Sequence, residues 1–406
     1  MSPKNKIYTN IIVSCILVFS LLLFIITNID NRFTRYFKSF SLINAEFINI
    51  HLNFEDQKKL TSILNNLKNN EIIIPQAKKF IFDTKLESKN TKVNANTRLK
   101  GDTLSHYSDI NKLSLKFDLK KDDKIFGMEK FSIQDPWERT FLNEWTFYQL
   151  CKDFNLISPR YFFVKVYVNG ENKGVFNLEE NFSKEMIEFN KRRESVIIKF
   201  SEEKDILTKL LYSTNKLNMP DSEKIIEFHE ARSVLENEIL VKDLEYANNN
   251  LKAYFDKQLR LEEVFDIEQW TSFLSIIELT AGYHALKFGN LRLYYNPLTM
   301  LIEPIAYDAE INSDLLLNQE HFFNTLDYDF WQIPYFIREM MQNNKFYAGY
   351  IKHLRKLVDS DYVLNFFEKN KSFINRQSKI LNSDFQYAFY NKEFISHFLE
   401  RNKQIK

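Results

Sequence analysis

The stretch HALKFGNLRLYYNPLTMLIEPIAYD, from His284 to Asp308, carries a hairpin signature inside a half of the chain that otherwise has helical patterning. Asn296-Pro297 initiates a turn between two apolar runs, which predicts a β-hairpin over 290–308. A hairpin of this length brings Asn290, before its first strand, and Asp308, after its second, to one mouth. Two hard oxygen donors on a rigid hairpin suit Mg²⁺, which takes one or two protein ligands and completes its shell with phosphate and water. The same two residues are also ordinary turn chemistry, and both readings stand on this stretch alone. His284 is the nearby side chain able to take a proton near pH 7, and Lys287 could neutralise phosphate charge. Glu310 and Asp314 read as the start of a loop.

Upstream, Arg98-Leu-Lys-Gly-Asp102 is followed by Lys112 and Lys116 on the strand that starts at Leu113. Lys112, Ser114 and Lys116 share a parity and face the same way. Cations on such a face could hold phosphates, Arg as a fork and Lys as a point charge. A solvated strand face would show the same pattern. A helix expected over Trp137–Phe154, with Pro136 in its first turn, carries Glu144, which could orient such a lysine.

Composition narrows the classes. The chain has 406 residues, 44% hydrophobic and 15% aromatic, which excludes a disordered or fibrous protein. It holds only 7 glycines, against about 28 at average usage, and neither a P-loop nor a GxGxxG is present. With 55 basic and 54 acidic residues the net charge is +1, so no global field gathers nucleic acid, and none is expected as a partner. Cys15 and Cys151 support neither a disulfide framework nor a cysteine zinc site.

Four segments follow in order. Residues 1–29 read as a short tail and an uncharged apolar run, Ile7–Ile29, long enough at about 1.5 Å per residue to cross a bilayer. A single-pass membrane anchor is the expectation from this run, with a cleavable signal peptide as the competing reading, and the short N-terminal tail points to an extracytoplasmic body. Residues 30–90 form a membrane-proximal segment containing a helix over Phe54–Lys68, with Leu60, Ile63, Leu64 and Leu67 on one face. Residues 91–204 are strand-rich, with runs at Leu113–Leu119, Met128–Ile133 and Tyr161–Val168 and a hairpin turn at Asn169-Gly170. Residues 205–406 are mostly helical, as at Glu223–Glu236, Ile239–Ala253 and Leu261–Leu279. The aromatics Phe322, Phe323, Phe330, Trp331 and Phe336 read as packing.

The succession RLKGD (Arg98–Asp102), KLSLKFDL (Lys112–Leu119), FGMEKFSIQDP (Phe126–Pro136), PRYFFVKVYVNGENKGVFNLEEN (Pro159–Asn181) and RRESVIIKF (Arg192–Phe200) is continued in order by the His284–Asp308 stretch. It resembles the CotH (spore-coat protein H) family of atypical kinase-like proteins over about Arg98 to Asp308. The resemblance implies an α+β, atypical protein-kinase-like two-lobed fold: a strand-rich N-lobe with one helix, and a helical C-lobe. It further implies ATP and Mg²⁺ bound without a glycine-rich loop, and phosphate transfer to protein Ser/Thr in active members. Carried over by position, Asp308 falls on the metal-binding Asp after the hairpin and Asn290 on the Asn before it. Lys112 matches the strand lysine, with Lys116 as the alternative. Glu179 and Glu180 fall near the hinge, and Arg98, Glu144, Glu180 and Lys287 join the cofactor-binding set. One departure matters. Active members place an Asp shortly before the Asn, and here Ala285 to Gly289 offer no carboxylate, so His284 is either a substitute base or a satisfied structural histidine. Two functions follow: phosphate transfer from Mg-ATP to a protein or envelope-associated acceptor, or a pseudokinase or structural module of the envelope.

Overall fold

The computed structural model describes residues 45–120, 123–200, 226–311, 316–317, 333–384, 387, 389 and 391–406. The first part of the chain runs β1 (Phe47–His51), α1 (Phe54–Lys68), β2 (Phe82–Ser88), β3 (Thr91–Leu99), β4 (Leu115–Leu119), β5 (Lys130–Gln134), α2 (Leu142–Asp153), β6 (Tyr161–Val168) and β7 (Glu171–Glu180). Its seven strands form a closed barrel in the order β1-β2-β3-β4-β5-β7-β6. Closure comes from β1, which pairs antiparallel to β2 and parallel to β6, with Phe47 opposite Lys165. Every second residue points inward, so Ile50, Phe117, Phe131 and Val164 pack a barrel core with no exposed surface. Leu60, Ile63, Leu64 and Leu67 of α1 join that core, as their spacing predicts. Asn169 (φ 51°) and Gly170 (φ 84°) make the left-handed pair that a two-residue turn between β6 and β7 requires.

Beyond the barrel, β8 (Ile197–Phe200), β9 (Ile226–Phe228), β10 (Arg292–Asn296) and β11 (Leu301–Ile305) form a second sheet in the order β11-β10-β8-β9. The hairpin read from the sequence is β10–β11, with Asn296 opposite Leu301. The longer helices are α3 (Glu238–Phe255), α4 (Ile267–Thr280), α5 (Tyr335–Gln342), α6 (Asn344–Val358), α7 (Ser360–Lys369), α8 (Lys371–Asn382) and α9 (Asn391–Ile405). Helix α4 is buried on every side from Trp270 to Thr280, which makes it the axis of the helical region. Its one buried carboxylate, Glu278, pairs at 3.2 Å with Arg401 of α9. Phe336 lies in this core, stacked on Phe265; Phe322, Phe323, Phe330, Trp331 and Asp314 lie outside the described residues.

Several expectations are corrected. The protein is α+β, but its strand-rich part is a closed seven-stranded barrel rather than a kinase-like lobe, and it draws β1 and β2 from the segment ahead of Thr91. Pairing β1 with β6 removes the free edges that an open sheet would leave. The expected helix Trp137–Phe154 is split: a tight turn, Pro136–Arg139, is followed by Thr140 and Phe141 at φ 50° and 56°, and α2 starts at Leu142. The region Glu223–Glu236, read as helix, contains β9, because Ile226–Phe228 pairs with β8. Pairing outweighed local propensity there. No helix among the described residues is long and apolar enough to cross a membrane. The longest, α3, carries Glu238, Lys242, Asp243, Glu245 and Lys252. The segment Ile7–Ile29 lies outside the described residues, so the transmembrane anchor, the membrane partner and the extracytoplasmic placement find no support in the structure.

Helices α4 and α6 approach closely at Gly349, where an added Cβ would sit 3.1 Å from the Thr271 side chain. Glycine inside a helix costs about 1 kcal/mol relative to alanine, so Gly349→Ala should stay within about 1 kcal/mol of wild type. Gly349→Leu should lose about 1–3 kcal/mol by overpacking, read as a lower urea midpoint.

Candidate active site

The barrel and the hairpin sheet enclose a cavity of about 600 Å³. Eight of its lining residues are Lys or Arg and four are Asp or Glu, a strong local excess in a chain of net charge +1. One wall is built from paired strands: Arg98 on β3 lies directly opposite Lys116 on β4. Like charges facing across two strands repel, and neither side chain forms a salt bridge among the described residues. Burial lowers the Lys116 ammonium to about 8; the charge of Asp118 opposes the shift, and the positive charges of Arg98 and Lys100 add to it.

The opposite wall is the mouth of the hairpin. Asp308, just past β11, holds φ 54°, and Glu310 holds φ 48°, left-handed conformations that Asp tolerates and Glu rarely adopts. Helix α2 supports this turn. Glu144 and Tyr148 lie one helical turn apart on the same face. The amides of Ala309 and Glu310 donate to the two oxygens of Glu144 at 2.9 and 3.0 Å, and the amide of Asp308 donates to the Tyr148 hydroxyl at 3.2 Å. Burial pushes the Glu144 carboxyl up to about 7, against the pull of Arg139. Glu144 thus orders the backbone of the turn rather than a lysine.

Beneath the cavity lies Glu179, with no solvent exposure. It accepts from Lys100 Nζ at 2.8 Å, Arg139 Nη2 at 3.1 Å, the Tyr148 hydroxyl at 2.7 Å and Gln134 Nε2 at 3.3 Å. Burial alone would raise Glu179, but Arg139 and Lys100 hold it below the usual carboxylate range. Arg139 reaches across to Asp308 Oδ1 as well. The break at Thr140–Phe141 ends the turn that carries Arg139 before α2 begins, which sets this guanidinium at the junction of Glu179 and Asp308. Burial would likewise raise Asp308, yet Arg139 and His284 hold it down at about 2. It is ionised at neutral pH.

The scan against protein families matches the description "CotH kinase protein" over residues 97–404, well over half of the chain. The chain belongs to the CotH kinase protein family. The match runs past Asp308 through the helices that follow it, as far as α9. No curated protein matches the chain.

In this CotH-family chain the cavity brings together Arg98, Lys116, His284, Lys287, Asn290 and Asp308. Lys112 is elsewhere: it precedes β4, in a tight turn Ile110–Lys112, and its ammonium donates to Val175 O at 3.0 Å and Asp384 at 2.8 Å between the rings of Phe176 and Tyr387. Successive strand residues face opposite ways, so Glu179 points to the site while Glu180 pairs with Arg160. His284 is clamped, with Nε2 2.9 Å from Glu310 and Nδ1 3.0 Å from the Asp308 carbonyl. Burial would lower its pKa, but the hydrogen bond to Glu310 and the charge of Asp308 raise it. Asn290 donates through Nδ2 to the His284 carbonyl at 3.1 Å, and its Oδ1 accepts no hydrogen bond among the described residues.

Lys100, Arg139, Glu179, Tyr148 and Gln134 escaped the sequence reading as site residues. Lys100 had a signal, since it stands two residues after Arg98 and so shares its parity. Removing Glu179 leaves Lys100 and Arg139 buried with less compensation. Glu179→Ala should therefore cost about 3–5 kcal/mol, measured by urea unfolding, and Lys100→Met combined with Glu179→Leu should recover part of it.

Proposed function

We propose that this cavity binds Mg-ATP and that the protein transfers phosphate from it to a hydroxyl on a protein acceptor. The observation that carries the reading is the opposed pair Arg98 and Lys116, without salt-bridge partners among the described residues, facing Asn290 and an ionised Asp308 across one cavity. Repelling cations on paired strands are relieved by a polyanion, and Arg98, Lys116 and Lys287 surround such a ligand with positive charge. A hard divalent cation fits the facing wall. Asn290 Oδ1 is free of hydrogen bonds among the described residues, and Asp308 Oδ2 is 3.5 Å from His284 Nδ1, outside close hydrogen-bond range. Among the described residues no cluster of three or more His, Cys, Asp or Glu could hold a metal, so phosphate oxygens and water would complete the shell, as Mg²⁺ commonly requires. When bound, the metal would neutralise charge developing between the β- and γ-phosphates.

Much of phosphoryl transfer rests on positioning and charge neutralisation. The chain supplies these through Arg98, Lys116 and Lys287, with Lys100 and Arg139 fixed behind them by Glu179. His284 is the nearest group able to accept the proton of an acceptor hydroxyl, and to do so one ring nitrogen must leave its present partner, since Nε2 faces Glu310 and Nδ1 the Asp308 carbonyl. Its raised pKa increases its basicity and lowers its neutral fraction at pH 7. A second reading, nucleotide binding without transfer, is favoured by one observation: residues 285–289 carry no carboxylate, and His284 is already paired.

Labelled ATP decides between them. With transfer, wild type incorporates label, Asp308→Asn loses it by about 10²-fold or more, and His284→Ala slows it by about 10². Mg-ATP binding with no label in any variant selects the second reading. Binding also has a pH signature. Lys116 is charged below about 8 and neutral above it, so affinity for Mg-ATP should fall as pH rises past that value, with the midpoint shifted upward by the bound phosphate. Lys116→Arg, which keeps its charge, should flatten the profile in calorimetric titrations.

A further inference from the structure

A second cavity, of about 750 Å³, opens at the barrel mouth beside α1 and shares no lining residue with the cationic one. Its walls are inward-facing side chains of five barrel strands, Ile50, Leu115, Ile133, Val166 and Phe176, each at most 6% exposed. A barrel of about this strand number has an interior that either fills with its own side chains or holds one small ligand. Here the interior is filled around Phe117 and Phe131, and the cavity lies at the α1 end, with the five nearly covered side chains as its floor. The entrance is mixed: Phe54, 75% exposed, and Ile110, 52% exposed, stand on its rim among the exposed polar side chains of Gln57, Thr61, Asn65 and Asn111.

We propose that this cavity binds a single-chain amphiphile with a carboxylate head group, a free fatty acid. An apolar floor with polar groups placed around its mouth suits a small-molecule site, and the charges at the mouth select the head group. Glu171 and Lys173 cancel each other at 2.7 Å. Lys58, on the exposed side of α1, forms no salt bridge among the described residues. Among the lining residues this leaves Lys58 as the one charge without a salt bridge, above an apolar floor. That pattern suits a monoanion with a hydrocarbon tail and does not suit a polyphosphate, whose complement is the cavity with eight cations. The head group stays in water beside Lys58, so no carboxylate is buried.

Calorimetric titration of the full chain with dodecanoate, below its micelle concentration, tests this, with dodecanol and dodecyltrimethylammonium run alongside. One saturable dodecanoate per chain is expected. Val166→Trp, which fills the well, and Ile110→Asp, which charges the rim without touching the core, should each weaken it at least tenfold. Lys58→Glu should weaken dodecanoate tenfold and leave dodecanol unchanged. Absence of saturable binding overturns the proposal, as does unchanged affinity in Ile110→Asp. Equal affinity for the ammonium amphiphile, or binding of phosphatidylglycerol vesicles in place of dodecanoate, overturns the assignment to a free fatty acid.

Discussion

Glu179 accepts hydrogen bonds from Lys100 at the end of β3, Gln134 on β5, Arg139 ahead of α2 and Tyr148 on α2. A carboxylate removed from water costs several kcal/mol unless its partners are well placed, so these four donors must arrive together. Their arrival fixes the barrel wall against α2, and Arg139 and Tyr148 then carry the constraint to Asp308. The hairpin mouth is held where it is because a buried charge on the barrel demands it. Lys100 illustrates the tension: burial works to strip its proton, and Glu179 works to keep it.

The same network explains how a chain with seven glycines could hold a nucleotide. Ordinary phosphate loops let backbone amides approach the ligand, which needs glycine. In the proposed site the approach would be made by side chains from two facing walls, Arg98 and Lys116 on the barrel and Asn290 and Asp308 on the hairpin, so no glycine-rich turn would be required. The left-handed turn at Asp308 and Glu310 stores strain that Glu144 and Tyr148 offset through three amide hydrogen bonds. Backbone held this way fits the proposed site, whose geometry would then be set before a ligand arrives.

Local pattern was a good guide wherever one element sufficed. The helix Phe54–Lys68, the strand Tyr161–Val168 and the β10–β11 hairpin follow from periodicity and turn chemistry alone. What depended on distant pairing was not legible. The five residues of β1 gain meaning only by bridging β2 and β6, and Ile226–Phe228 becomes a strand only against β8. Within the site, Arg98, Lys116, His284, Lys287, Asn290 and Asp308 were named from residue type and order, and the structure gathers them in one cavity. The turn that ends at Lys112 moved that lysine off the strand, toward Asp384. Between Glu179 and Glu180 a single step of strand parity decides which faces the site, and no local signal marks the choice.

The central claim is that the two walls bind one ligand, a magnesium–nucleotide, and that Asp308 is essential to it. Thermal unfolding of wild type and Asp308→Ala, each with and without Mg-ATP, tests that claim most directly. Saturating ligand at about 100-fold over its dissociation constant contributes about 2.7 kcal/mol, so the wild-type midpoint should rise by several degrees while Asp308→Ala should not move. No shift in wild type, or an equal shift in both, would contradict the account.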